Sequence, residues 1–258
     1  MTDMTLLSRT EDTFFNGRIK VLQHREGYRF SIDAVLLAAF SAPGVKDHIV
    51  DLGTGCGIIP LILGYRHPEV SITGIEVQPE LAALAAQNVE ANGLKERVTI
   101  ICGDMRSLSI QVVSGPVDLV ISNPPYRKGR SGRVNPQPQR ALARHEILAT
   151  LQDVASAAAR LLGIGGRFSV VYPAERITDL LTNLRSAGIE PKHIQTVHAK
   201  SHDPARLVLV SGIKGGRPGA TVHEPLVIYQ ANGTYTDRVQ ATFDPWSLYQ
   251  SVVNRFNT

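Results

Sequence analysis

The sequence predicts an α/β fold built around a mostly parallel sheet. Between residues 48 and 172, short apolar runs rich in β-branched residues alternate with helix-like stretches. That alternation is the pattern of parallel strands covered on both faces by crossover helices. Further on, two more apolar runs at 192–198 and 206–213 are separated only by residues 199–205. So short a link holds no crossover helix, and this pair is expected to form an antiparallel hairpin.

Taken in order, the first expected element is an N-terminal hairpin pairing 18–23 with 27–30. A helix at 32–40 follows, with Ser31 as its N-cap and Asp33 in its first turn, where an acidic side chain suits the helix dipole. The parallel strands are expected at 48–52, 71–76, 98–103, 117–122 and 166–172, with helices at 58–66, 79–92 and 146–162 between them. Pro79 opens the second of these helices and Gly93 stands just past its end, the usual end chemistry. A helix at 174–187 leads into the C-terminal hairpin.

Composition narrows the class. An apolar share of 43% with 19% charged residues is ordinary globular chemistry,. Lys plus Arg exceeds Asp plus Glu only by 27 to 23, so net charge alone names no partner. The two cysteines, Cys56 and Cys102, make neither a disulfide framework nor a zinc site and read as small core fillers. The eight histidines show no metal-binding spacing, and no metal is expected. Residues 1–13 are polar and carry both charge signs, unlike a secretory signal. No apolar run approaches the roughly 20 residues of a membrane helix. A soluble, cytoplasmic protein is the expectation.

The segment Asp51-Leu52-Gly53-Thr54-Gly55-Cys56-Gly57 closes the first strand and opens a helix. Glycines there let the backbone turn tightly and approach a ligand at the carboxyl ends of the strands. The next residue is Ile58, so the spacing departs from the dinucleotide fingerprint. A carboxylate beside the loop suits a ligand carrying an ammonium group and no phosphate, such as S-adenosylmethionine. Glu76, ending the second strand, can accept from both ribose hydroxyls. Asp104, after the third strand, can accept from an adenine amine, and Met105 can pack on the adenine ring. Either acidic residue alone reads equally well as a solvated strand end; the set together does not.

Asn123-Pro124-Pro125-Tyr126 ends the fourth strand. Consecutive prolines fix φ and remove two backbone donors, leaving a rigid turn with free carbonyls. The Asn123 amide oxygen and the Pro124 carbonyl can each accept one hydrogen of an –NH2 group, aiming its lone pair at an electrophilic methyl. Tyr126 offers a ring for the acceptor to stack on.

These segments together resemble the class I S-adenosylmethionine methyltransferases with an N-P-P-Y motif, which include adenine-N6, guanine-N2 and glutamine-amide methyltransferases. Residues 27–38 (GYRFSIDAVLLA), Ala143-Arg144-His145-Glu146 and 225–236 (PLVIYQANGTYT) resemble, more narrowly, the bacterial tRNA(Val) adenine-N6 methyltransferases that act beside the anticodon. The resemblance implies a Rossmann-like seven-stranded sheet, with residues 1–47 packed on a catalytic domain at 48–236. The tail 237–258, including Trp246, matches nothing. It further implies catalytic roles for Asn123, Pro124 and Tyr126. The cofactor-contacting set is then Asp33, Asp51, Gly53, Thr54, Gly55, Gly57, Glu76, Asp104, Met105 and Asn123. The expected reaction is methylation of an adenine N6 amine in tRNA. Methylation of a release-factor glutamine amide, guanine-N2 methylation of RNA, and a non-catalytic sensing or RNA-binding role remain alternatives.

Between Arg127 and Arg144 six basic residues occur without one acid. Such a run is commonly a solvated loop. Its place directly after the acceptor motif favours phosphate contact by Arg127, Lys128, Arg130 and Arg133. His145 is as well read as a structural hydrogen-bonding residue as a substrate contact, and Arg144 and Glu146 as supports for the helix that follows.

Overall fold

The computed structural model describes residues 9–24, 31–125 and 149–244. It opens with an antiparallel hairpin, β1 (Arg9–Phe14) and β2 (Ile19–His24), in which Phe14 faces Ile19 across the turn. This corrects the expected pairing of 18–23 with 27–30: the strand takes its partner from upstream, and residues 27–30 lie outside the described set. The cause is the Asn16-Gly17 turn. Phe15, Asn16 and Gly17 all have positive φ, the backbone that Asn-Gly turns supply. The strain at Phe15 is offset by burial of its ring, which stacks on Tyr65 at 5.4 Å.

The helix α1 (Ile32–Ser41) follows, with Ser31 in the N-cap position but making no side-chain cap bond. Then come β3 (His48–Leu52), α2 (Ile58–Arg66), β4 (Ser71–Glu76), α3 (Pro79–Ala91), β5 (Val98–Cys102) and β6 (Val117–Ser122). Gly93, at φ 67°, ends α3 as expected. The next described helix, α4 (Leu151–Leu161), starts later than expected because Thr150 and Asp153 form a reciprocal capping box, which fixes a helix start. Strand β7 (Leu162–Pro173), α5 (Ile177–Ser186), β8 (Ile189–His198) and β9 (Ala205–Lys214) complete the main chain path.

The seven strands β3 to β9 form one sheet in the order β8-β9-β7-β6-β3-β4-β5. Neighbours from β5 to β7 are parallel, and β9 runs antiparallel to both β7 and β8. Two two-residue strands, β10 (Thr221–Val222) and β11 (Leu226–Val227), add to the β8 edge, making nine. A short helix, α6 (Asp237–Gln240), follows. One face of the sheet packs against α1, α2, α3 and the hairpin, the other against α4 and α5. Strand order reverses at β3, whose neighbours are β4 and β6; a crevice opens at the carboxyl ends there, where open α/β sheets receive ligands.

Two buried side chains fix the strand ends around that crevice. The Ser122 hydroxyl donates to the Leu52 carbonyl at 2.9 Å, joining β6 to β3. Asn88, fully buried on α3, accepts from the Leu22 amide and donates to the carbonyls of Leu22 and Cys56. It thereby ties the hairpin to the loop after β3. Cys56 is buried as expected, and burial pushes its thiol up to about 11. Cys102 is not a core filler: it ends β5, the outermost strand on that side, and its side chain is exposed. Among the described residues no helix is long and apolar enough to cross a membrane.

Candidate active site

The loop after β3 is held by its backbone. Gly53, Gly55 and Gly57 have φ of 77°, 59° and 85°, where a side chain is strained. The amides of Gly53 and Thr54 both donate to the Ile75 carbonyl at 2.9 Å. A Cβ at Gly57 would lie 3.2 Å from that of Ala85, so α2 and α3 meet closely here.

Behind this loop stands Asp51, 1% exposed, with neither carboxylate oxygen hydrogen-bonded among the described residues. Burial pushes its carboxyl up to about 7; the Thr54 hydroxyl, near it without forming a well-aligned hydrogen bond, acts the other way, and the Glu76 charge adds to the rise. A buried acid with so little compensation is costly to the fold.

Glu76 holds the loop from the other side. One carboxylate oxygen accepts from the Gly55 amide and the other from the Gln78 amide, each at 2.9 Å. The sequence suggests a ribose contact for this residue; its structural ties are not legible there, since nothing in the sequence says which amides point at it. Each carboxylate oxygen accepts two bonds, so acceptor capacity remains for ligand hydroxyls.

Asp104, after β5, is engaged by Arg106. The guanidinium Nε lies 3.0 and 2.9 Å from its two oxygens and Nη2 lies 2.6 Å from Oδ2, while the Arg106 amide donates to Oδ1 at 2.8 Å. The side-chain hydrogen bond to Arg106 holds the Asp104 carboxyl below the usual carboxylate range. Arg106 was absent from the sequence reading, although its spacing two residues from an acid was visible. A second missed residue is Arg160 on α4. Its guanidinium donates to the carbonyls of Leu108, Met105 and Arg106 at 2.7, 2.8 and 3.2 Å, pinning the turn that carries Met105.

Between these strand ends lies a cavity of about 890 Å³ of empty space, its open mouth included. Its wall brings together Gly53, Gly55, Glu76, Asp104, Met105, Asn123 and Pro124, with Leu81 and Val154 as apolar sides. Asp51, Thr54 and Gly57 are not on the wall. Thr54 is turned beneath the loop, its methyl 3.0 Å from where a Gly74 Cβ would be. Asp33 is off the wall too, in the first turn of α1. Tyr126, the basic run with Arg127, Lys128, Arg130 and Arg133, and Arg144, His145 and Glu146 lie outside the described residues. The arrangement suits a ligand carrying a positive charge, hydroxyls and a flat apolar ring, with an acceptor approaching at Asn123.

A family model for the methyltransferase small domain matches residues 32–183, a span holding the glycine loop, Glu76, Asp104 and Asn123. Fold and site together define a methyltransferase. The chain is 30% identical over 247 residues to a tRNA1(Val) (adenine(37)-N6)-methyltransferase of Porphyromonas gingivalis, covering 91% of this chain and 94% of the relative. A protein of the same name from Aeromonas hydrophila is 30% identical over 221 residues, covering 84% of this chain and 89% of its own. The chain belongs to the family these relatives represent. In fold it is similar to a predicted O-methyltransferase of Agrobacterium tumefaciens (TM-score 0.68, 23% identity, covering 83% of this chain and 96% of the other).

Proposed function

We propose that the chain transfers a methyl group from S-adenosylmethionine to the N6 amine of an adenine in tRNA. The observation that carries the reading is the shared cavity wall: Asn123 and Pro124 stand on it together with the glycine loop, Glu76 and Asp104. Bound there, S-adenosylmethionine supplies an electrophilic methyl on a sulfonium. The residues present fit it chemically. Asp51 places an unsatisfied carboxylate behind the loop for the field of an ammonium group. Glu76 keeps lone pairs for ribose hydroxyls, and Met105 and Leu81 flank an adenine ring whose amine Asp104 accepts.

On the acceptor side, the Asn123 amide oxygen and the Pro124 carbonyl each take one hydrogen of the –NH2 group, drawing the nitrogen lone pair out of conjugation. Pro124 and Pro125 have no amide N–H, so the turn stays rigid without spending that carbonyl. Tyr126 stacks the base, which is flipped out or already in a loop. Orientation of two bound reactants supplies most of the acceleration.

A tRNA acceptor is supported by the names of the relatives and by the basic run that follows the motif. A cytoplasmic location is the one consistent with that acceptor. The test is mass spectrometry of nucleosides from unmodified tRNA incubated with protein and S-adenosylmethionine. N6-methyladenosine is the expected product. Methylguanosine, or methylation only of a release factor added in parallel, overturns the reading.

A further inference from the structure

Strand β8 runs antiparallel to β9, and β9 antiparallel to β7, so β8 points the same way as β6 and β7. Its last residue, His198, therefore emerges at the same end of the sheet as Asn123. Past that end the chain makes a turn from Ala199 to Pro204 before β9 begins. Alongside runs β11, whose extension continues the pairing: Ile228 donates to the His198 carbonyl and Tyr229 to the Ala199 carbonyl, each at 2.9 Å. Tyr229 is thus fixed beside this turn, at the same end of the sheet as Asn123. Four strand spacings separate β6 from β11, about 19 Å at the usual 4.8 Å step.

The ring of Tyr229 is the outer member of a column. It stacks on Tyr235 at 5.4 Å, Tyr235 on Phe243 at 5.4 Å, and Phe243 on Phe14 at 6.2 Å, all within 16° of parallel. Tyr235 and Phe243 pack against the core, whereas Tyr229 is 37% exposed. The inner three rings link the segment ending at Phe243 to the hairpin. The outer ring adds an open aromatic surface at a wet edge.

The neighbouring turn is basic and stiff. Lys200 and His202 are exposed on it, and Arg206 is exposed at the start of β9 just beyond it. His198 spans it: its Nδ1–H donates to the Asp203 carbonyl at 2.7 Å while Nε2 accepts from the Thr196 hydroxyl at 3.0 Å. The Asp203 amide closes it further by donating to the Lys200 carbonyl at 3.1 Å. An open aromatic ring and exposed cations at the same end of a sheet are the combination that binds single-stranded nucleic acid, the ring taking a base and the cations its phosphates.

The geometry points to a second RNA contact formed by Tyr229, Lys200 and Arg206, which holds nucleotides flanking the one presented to Asn123. A base added to Tyr229 extends the column by one ring. This inference rests on RNA being the substrate.

The experiment measures tRNA affinity of the full chain against salt, with cofactor affinity and melting temperature as controls. Tyr229→Ala is expected to weaken tRNA binding about 5- to 150-fold, the equivalent of the ~1–3 kcal/mol of a lost stacking partner. Tyr229→Phe keeps the ring and should bind within twofold of the parent. Lys200→Gln with Arg206→Gln should flatten the slope of log affinity against log salt by about 1.4–1.8, from ~0.7–0.9 per phosphate contact. These two exposed substitutions keep the test valid if Tyr229→Ala misfolds. Parental tRNA affinity in Tyr229→Ala, or an unchanged salt slope in the double variant, overturns the second contact while leaving the substrate reading intact. A parent protein that binds no tRNA overturns both.

Discussion

Glu76→Gln separates ligand binding from loop architecture. The substitution keeps the size and shape of a side chain that is 5% exposed. In the parent, both oxygens accept from backbone amides, Gly55 and Gln78, at 2.9 Å. A glutamine amide has one oxygen, so either orientation turns its NH2 group toward one of those two N–H donors. One hydrogen bond to a charged acceptor, worth about 1.5–3 kcal/mol, is lost, and the survivor falls to the neutral range of about 0.5–1.5 kcal/mol. Against this, removing the charge relieves its repulsion with Asp51. The balance is a loss of about 2 kcal/mol, or about 4–8 °C in melting temperature for a chain of this size. Differential scanning fluorimetry on protein without cofactor reads this directly. Cofactor affinity, followed by calorimetry, should fall as well. A melting temperature within 1 °C of the parent, with cofactor affinity lost, refutes the architectural role and leaves Glu76 a ligand contact alone.

Three further outcomes are expected. Asn123→Ala should lower turnover about 10²–10³-fold, the usual loss for one preorganised polar contact at a reacting centre, with cofactor affinity unchanged; retention of more than a tenth of parental turnover at saturating substrates sinks the amine-orienting role. Asp51→Asn should alter the pH dependence of stability. The folded-state value near 7, against the ordinary 3.8, makes the native protein hold a proton that the unfolded chain releases, so parental stability falls as pH rises from about 4 to about 7. The variant should therefore melt higher than the parent at pH 8 but not at pH 4; parallel melting curves across that range contradict the buried-acid assignment. Neutralising Arg127, Lys128, Arg130 and Arg133 together should weaken tRNA binding and flatten its salt slope by about 0.7–0.9 per lost contact, with cofactor affinity intact; an unchanged slope makes the segment a solvated loop.

The parallel sheet was legible because its strands are nearly continuous apolar runs: in β3, Ile49, Val50 and Leu52 are fully buried, and Asp51 interrupts them only where a ligand is due. The hairpin partner was misread because the decisive signal lies in a turn whose first member, Phe15, looks like a strand residue. Strands β10 and β11 are too short to show a period. Within the site, Gly53, Gly55, Glu76, Asp104, Met105, Asn123 and Pro124 stood out by type and by position at strand ends, whereas Leu81 and Val154, apolar residues on helices, did not. Long-range side-chain ties did not. Arg160 reaches carbonyls more than 50 positions away, and carbonyls leave no mark in a sequence. Asp104 and Arg106, by contrast, are close enough in sequence that their pairing was available to a local reading.

The tie made by Asn88 bears on how this molecule opens. One side chain amide satisfies both polar groups of Leu22 and the carbonyl of Cys56, so undocking the hairpin strips a fully buried amide of two of its three partners. Such coupled losses make neighbouring segments unfold as one cooperative unit. In hydrogen exchange, the amides of Leu22 and Lys20, held by Asn88 on α3 and by Asn92 just past its end, should share one opening free energy with those of Gly53 and Thr54. Proteolytic removal of the first 24 residues should loosen the glycine loop across the interface, although no residue of the cavity wall is cut.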